Sequence, residues 1–263
     1  MLVAREGAQS VQIPRRVVCR RARSRYGAGL NQSLDLIDRR ALTVTVTTAR
    51  AVRADRASTT QEAILKAAER LYAEHGVYAV SNRQVSEAAG QGNNAAVGYH
   101  FGTKADLVRA IEKKHRASIE RLLDRKVAAI GDSAELRDWI TCMVCSLTEH
   151  LAQLGNPTWY ARFAAQALAD PAYQKIVVRD ALASPALVQV VEGITRCLPE
   201  LPMAVVTERN IMVRNLMMHT CADFERAFAD GDGVPRTSWT AVASGLIDAI
   251  VGLWQAPVTE TPT

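Results

Sequence analysis

From Ser58 onward, apolar residues recur at helical spacing with polar residues between them. Ile64, Leu65, Ala68, Leu71 and Tyr72 line one face of a first helix, which Gly76 ends. Ser58, Thr59 or Thr60 can cap it, and Thr59 with Glu62 has capping-box spacing. Ser81 is placed to cap a second, short helix, with Val85, Ala88 and Ala89 inside and Gly90 at the stop. A third short helix is expected from Asn93 or Asn94 to His100. Thr103, with Asp106 three positions on, opens a fourth, and Leu107, Ile111, Ile119, Leu122 and Leu123 carry it towards Ile130. Further helices are expected near 133–153, 157–169, 171–183, 185–198, 202–229 and 238–255. Pro157, Pro171 and Pro185 fall where first turns tolerate proline, and Pro199 and Pro202 mark a break. No segment of 57–255 reads as a strand, and no internal repeat is visible. The expectation is an all-α fold.

The pattern fails before Ser58. RRVVCRRARSRYGAG is an arginine run ending in glycines, and Ala41–Val52 alternates like a short strand with no partner nearby. Residues 1–56 are therefore either a basic, disordered arm whose arginines touch DNA phosphates, or translated upstream sequence behind a misassigned start.

Charge adds a direction to this picture. The net charge of +5 divides into +8 over residues 1–56, +3 over 57–130 and −6 over 131–263. A basic amino-terminal half and an acidic carboxy-terminal half suit a chain of which one end meets a polyanion. With 263 residues, 48% of them apolar, the chain is long enough for two domains. No apolar run reaches the length of a membrane span and no secretory signal is present, so a bacterial cytoplasmic location is expected.

Five cysteines, Cys19, Cys142, Cys145, Cys197 and Cys221, fit a reducing compartment better than a disulfide framework. Cys142 and Cys145 form a Cys-x-x-Cys. Zinc would need two more ligands, of which only His150 is near, and a redox pair would follow a strand, so two buried small hydrophobes are expected. No metal, cofactor or catalytic residue is expected.

The segment GNNAAVGYHFGTKADL, Gly92 to Leu107, carries the candidate chemistry. The short helices Ser81–Ala89 and Asn94–His100, joined at Gly90-Gln91-Gly92, read as a helix-turn-helix with the second helix aimed at a major groove. Asn93 and Asn94 open that helix, where an amide can pair with adenine. Ala95 and Gly98 are small enough for close approach, and Tyr99 and His100 can donate to phosphates. Thr103 and Lys104 open the next helix, whose N-terminal N–H groups also favour a phosphate. Asn93 serves equally as a plain helix cap, His100 as a packed histidine, and Phe101 as core.

Together, AILKAAERLYAEHG, VSNRQVSEAAG and VGYHFGTKADLV make residues 58–108 resemble the DNA-binding domain of the TetR (tetracycline repressor-like) family of bacterial transcription regulators. In that family the positions matching Tyr99, His100 and Lys104 contact the DNA backbone, and preceding residues read bases. The resemblance extends the DNA-contacting set to Thr59, Ser81, Asn82, Arg83, Asn93, Asn94, Ala95, Gly98 and Thr103. From Gly90 to Phe101 the chain is one residue longer than the commonest family turn, which leaves the base-reading positions open by one.

The resemblance also implies an organisation: a DNA-binding domain at 57–103, a helical effector-binding and dimerisation domain at 104–255 and a disordered tail at 256–263. The implied partners are a near-palindromic double-stranded operator, a second copy of the chain and an unknown small apolar effector. Trp139, Met143, Trp159, Tyr160, Phe163 and Tyr173 are candidate effector-lining residues, or simple packing. Ile211, Leu216, Met217, Cys221 and Phe224, with Trp239, Val242, Leu246, Ile250 and Leu253, are the candidate dimer face, or a monomer's core. The implied activity is repression relieved by the effector. A helical enzyme carrying the motif as decoration, or an architectural DNA binder using the arginine arm, are the alternatives.

Overall fold

A computed structural model describes residues 55–231 and 238–259. They form a succession of α-helices, with no strand among the described residues. The basic arm with its Ala41–Val52 alternation and Cys19 lies outside the described residues up to residue 54, as does the tail from residue 260. The helices are α1 (residues 55–75), α2 (Asn82–Ala88), α3 (Ala96–Phe101), α4 (Lys104–Ile130) and α5 (Leu136–Leu154). They continue with α6 (Tyr160–Ala169), α7 (Pro171–Leu182), α8 (Pro185–Cys197), α9 (Met203–Asp230) and α10 (Trp239–Gln255).

Most boundaries follow from local chemistry. Gly76 takes φ +82° and returns its N–H to the Tyr72 carbonyl at 2.9 Å, which stops α1. Ser81 and Gln84 close a reciprocal capping box on α2, and Thr103 and Asp106 close another on α4. Pro171 and Pro185 occupy first turns, capped by the side chains of Asp170 and Ser184.

Two expected helix starts are corrected. Helix α1 already runs from residue 55, so Ser58, Thr59 and Thr60 lie inside it. The Thr59 hydroxyl donates to the Asp55 carbonyl at 2.9 Å and caps nothing. Pro157 sits in the connection before α6, after a cis Asn156–Pro157 bond, and the helix begins at Tyr160. Its first N–H groups are capped from far along the chain. The Glu225 carboxylate on α9 accepts from Ala161 N–H at 3.0 Å and Arg162 N–H at 2.9 Å, and pairs with the Arg162 guanidinium at 3.1 Å. Glu225 is buried, and that burial raises its pKa despite these donors.

One continuous core runs from Ile64 to Trp254 through all these helices, with no break at residues 103–104. Helix α10 packs mainly on α5, α6 on α9, and α4 on α5 and α8. This corrects the expected dimer face. Cys221, Val242, Leu246 and Ile250 are buried within the protomer, whereas Ile211 is exposed and Leu216, Met217 and Leu253 are half-buried. Periodicity marks an apolar face but not the neighbour that covers it. Ala88 is also exposed where burial was expected; Ser86 is the buried residue of α2 beside Val85. Cys142 is buried and Cys145 half-buried, both as free thiols raised in pKa by burial.

Arg209 ties α9 to the end of α10. Its buried guanidinium donates to the carbonyls of Trp254, at 2.7 Å, and Ala256. Helix α8 packs on α5 at Gly193, where a Cβ would lie 2.2 Å from the Trp139 ring. The Trp139 indole N–H donates to the Ser133 carbonyl at 2.9 Å, which fixes the ring. Gly193→Ala is therefore expected to destabilise the protein by about 1–3 kcal/mol through overpacking. Urea denaturation read by tryptophan fluorescence measures this; an unchanged midpoint excludes the contact.

Candidate nucleic-acid interface

The connection between α2 and α3 is longer than the tight Gly-Gln-Gly turn the sequence suggested. Gly90 takes φ +69° and sends its N–H back to the Glu87 carbonyl, after which the chain stays irregular to Ala95. Asn93 and Asn94 therefore belong to the turn, not to the recognition helix. The cause is local: the Asn93 side-chain oxygen accepts the Ala95 N–H at 2.9 Å, closing an Asx turn in place of a helical turn. The buried Ser86 hydroxyl braces this loop by bonding the carbonyls of Asn82, at 3.1 Å, and Asn94, at 3.3 Å.

Helix α3 is fastened by its buried residues Ala96 and Val97. That turns Ala95, Gly98 and Tyr99 outward, together with Asn93 and Asn94 on the loop. Tyr99 is 84% exposed, its ring edge-on to the half-buried His100 at 5.0 Å. Phe101 is half-buried and packed against the core. At the start of α2, Ser81 is spent in its capping box, and Asn82 is half-buried with its side-chain oxygen enclosed and unpartnered. Arg83 is exposed and paired with Glu87 at 2.8 Å. Thr59 is exposed on α1.

Lys104 and the start of α4 differ from expectation. The Lys104 ammonium donates to the carbonyls of Val77, at 3.0 Å, and Tyr78, at 3.3 Å. Partial burial lowers its pKa, with Asp170 acting against that. Lys104 thus clamps the α1–α2 loop onto α4. The α4 terminus is also occupied already: the Asp106 carboxylate accepts the Thr103 N–H and hydroxyl, and Asp106 N–H bonds the Thr103 oxygen. A residue that sequence reasoning passed over is Tyr78, 88% exposed on the loop that Lys104 holds. An aromatic between two small apolar residues gave no signal of exposure.

A buried polar chain connects this unit to the rest of the molecule. Glu69 of α1 meets His115 of α4 at 2.9 Å, and His115 meets His150 of α5 at 2.9 Å. Tyr160 of α6 stacks on His115 with centroids 3.9 Å apart and hydrogen-bonds Glu112. All five side chains are buried.

The expected effector-lining residues do not converge on one cavity. Tyr160 and Phe163 are fully packed, Phe163 against Tyr72, and Met143, Trp159 and Tyr173 are half-buried against the core. Trp139 borders a cavity of about 450 Å³ between α4, α5 and α8 that also carries Asp124, Asp132, Glu192 and Arg196, a charged lining where an apolar one was expected.

A braced helix-turn-helix joined to a helical body is the architecture of a DNA-binding regulator. The family model of bacterial regulatory proteins of the tetR family matches residues 64–111, and that of a tetracyclin repressor-like C-terminal domain matches residues 142–252. The chain belongs to the TetR family, and it is a DNA-binding transcriptional regulator. Among solved structures, one described as a TetR-family transcriptional regulator from Rhodococcus sp. is 19% identical, covering 75% of this chain and 100% of its own, at a TM-score of 0.46. PfmR, a TetR family transcriptional regulator from Thermus thermophilus, is 16% identical over 74% and 99%, at 0.46. A TetR-family regulator from Streptomyces coelicolor is 17% identical over 76% and 96%, at 0.40. No curated protein matches the chain.

The buried chain has a pH consequence. Burial, then His115 and Arg121, depress the His150 pKa from 6.5 to about 4. The unfolded chain takes up this proton below pH 6.5, but the folded state resists until near pH 4. Stability is therefore full above pH 6.5 and falls as the pH drops towards 4, by about 1 kcal/mol at pH 5.5. Urea denaturation at pH 7.5 and 5.5 checks this; His150→Gln, which cannot titrate, is expected to lose that part of the dependence.

Proposed function

We propose that the chain is an operator-specific repressor that binds a near-palindromic site as a homodimer and is released by a small molecule. The observation that carries the DNA-reading surface is Gly98. It lies within α3, exposed, at ordinary φ, and a Cβ there would meet no protein atom within 4 Å. Alanine at such a position favours a helix by about 1 kcal/mol over glycine, so internal packing gives no reason for glycine. A flat helix face pressed into a groove does. Asn93, Asn94 and Ala95 border that face and are the candidate base readers, with Tyr99 and Tyr78 as phosphate donors at its edge.

The partner copy is assigned to the outer faces of α9 and α10. Ile211 and Met212 are exposed on α9, and α10 presents Ser244, Ala249 and Gly252, small residues that allow close helix approach. Release acts by differential affinity: an effector that binds better to a DNA-incompetent arrangement shifts the population towards it. The route is α4, which carries His115 between Glu69 below and His150 above.

DNase footprinting of DNA flanking the gene tests the reading, at stated salt because phosphate-driven affinity depends on it. Protection of one near-palindrome, by the full chain and by a chain beginning at Ala54, is expected; even coating by the full chain alone sinks it. Tyr99→Ala is expected to weaken operator and random DNA alike by about tenfold. The salt slope should stay unchanged, since a phenol releases no counterion. Unaltered affinity removes Tyr99 from the interface.

A further inference from the structure

The loop from α1 to α2 is anchored at both ends. Val77 and Val80 are buried in the core, and between them Tyr78 and Ala79 stand out into solvent. A solvated side chain has little packing to aim it, so its direction is set by its backbone. Peptide units are planar, which leaves φ and ψ of a residue as the angles between its Cα and the unit on either side. Tyr78 lies between the units that carry the Val77 and Tyr78 carbonyls, and the Lys104 ammonium donates to both, at 3.0 and 3.3 Å. One cation thus fixes both torsions of Tyr78, and with them the line on which its Cα–Cβ bond leaves the loop.

Two of the three ammonium N–H groups are spent on these carbonyls. A counter-charge also comes from the protein itself. The Asp170 carboxylate, which caps α7 by accepting Ala172 N–H at 2.8 Å, favours the charged form of Lys104. Tyr78 stands three residues ahead of Ser81, the cap of α2, and in a helix-turn-helix that first helix crosses the DNA backbone. Lys104 opens α4 three residues after Phe101, the end of α3. The clamp therefore ties the loop ahead of α2 to the chain that follows the recognition helix. A solvated ring adds little to folding by pointing one way rather than another. A phenol that must meet a phosphate depends on it, because ordering the loop on binding would consume affinity.

We propose that Lys104 serves DNA binding as a positioning residue: it holds Tyr78 where the phenol donates to a backbone phosphate, and makes no phosphate contact of its own. This rests on the reading of Tyr78 as a phosphate donor given above; the clamp itself does not. The family resemblance implies a direct contact for Lys104 instead, and the two roles differ in their dependence on salt.

The test compares full-length wild type, Tyr78→Phe, Lys104→Met and the double variant on the DNA fragment protected in footprinting, with affinity measured across a salt series. Tyr78→Phe is expected to cost about tenfold in the wild-type background and nothing in Lys104→Met, since a phenol no longer aimed has no bond to lose. The slope of log affinity against log salt should stay unchanged in Lys104→Met, whereas a lost phosphate contact lowers it by about 0.9. Reductive methylation of the free wild-type protein reads the clamp directly: Lys104 is expected to react more slowly than the exposed Lys175. A slope lowered by that amount overturns the proposal, as do losses that multiply in the double variant or a Lys104 that reacts as fast as Lys175. Tyr78→Phe removes only a solvated hydroxyl and folds whatever becomes of Lys104→Met, and unaltered affinity in it also overturns the proposal. If footprinting yields no protected site, the operator reading fails, and the same series on a random-sequence duplex still decides the role of Lys104.

Discussion

The Glu69–His115–His150 chain is the contact on which the arrangement of the molecule turns. A carboxylate can only accept, so His115 donates to Glu69 through Nε2–H. With one proton on each ring, His115 then accepts at Nδ1 from His150 Nε2–H. Each partner fixes the role of the next, and Tyr160 stacked on His115 excludes the water that could replace any of them. Breaking either bond strands polar groups on two helices inside the core, a larger loss than one exposed hydrogen bond. Helix α1 therefore cannot reorient on its own. It moves with α4, or the chain breaks.

This constraint explains why the helix-turn-helix belongs to one packed body. Lys104 clamps the α1–α2 loop to α4, and Ala96 and Val97 seat α3 in the same core. The outward residues of the turn and of α3 are then presented on a rigid base. A surface meant to match a groove needs such a base, since ordering it on binding would consume affinity.

Much of the fold was legible in the sequence because its causes are local. Ser81, Thr103, Asp170 and Ser184 cap helices within three residues of themselves, and apolar spacing marks the faces between. What was not legible depends on distant partners. The N-terminus of α6 is capped by Glu225, 64 positions from Ala161. Lys104 finds its carbonyls 27 and 26 positions back, contacts that no local spacing announces. Val242, Leu246 and Ile250 form the apolar stripe that periodicity suggested, but only packing shows that α5 covers it. Of the candidate site, the outward set at Asn93, Asn94, Ala95, Gly98 and Tyr99 was visible, while the Asx turn that removes both asparagines from the helix was not.

Arg209 bears on how the molecule tolerates handling at its carboxyl end. A guanidinium does not deprotonate in proteins, so the one buried on α9 must keep its acceptors, and these are main-chain carbonyls at Trp254 and Ala256. Side-chain replacement near the end of α10 leaves both in place. Removing the backbone before Ala256 does not, and strands a cation inside the protein. The segment after the last helix thus acts as a latch: a proteolytic nick ahead of it removes the Arg209 bonds that tie α9 to the end of α10.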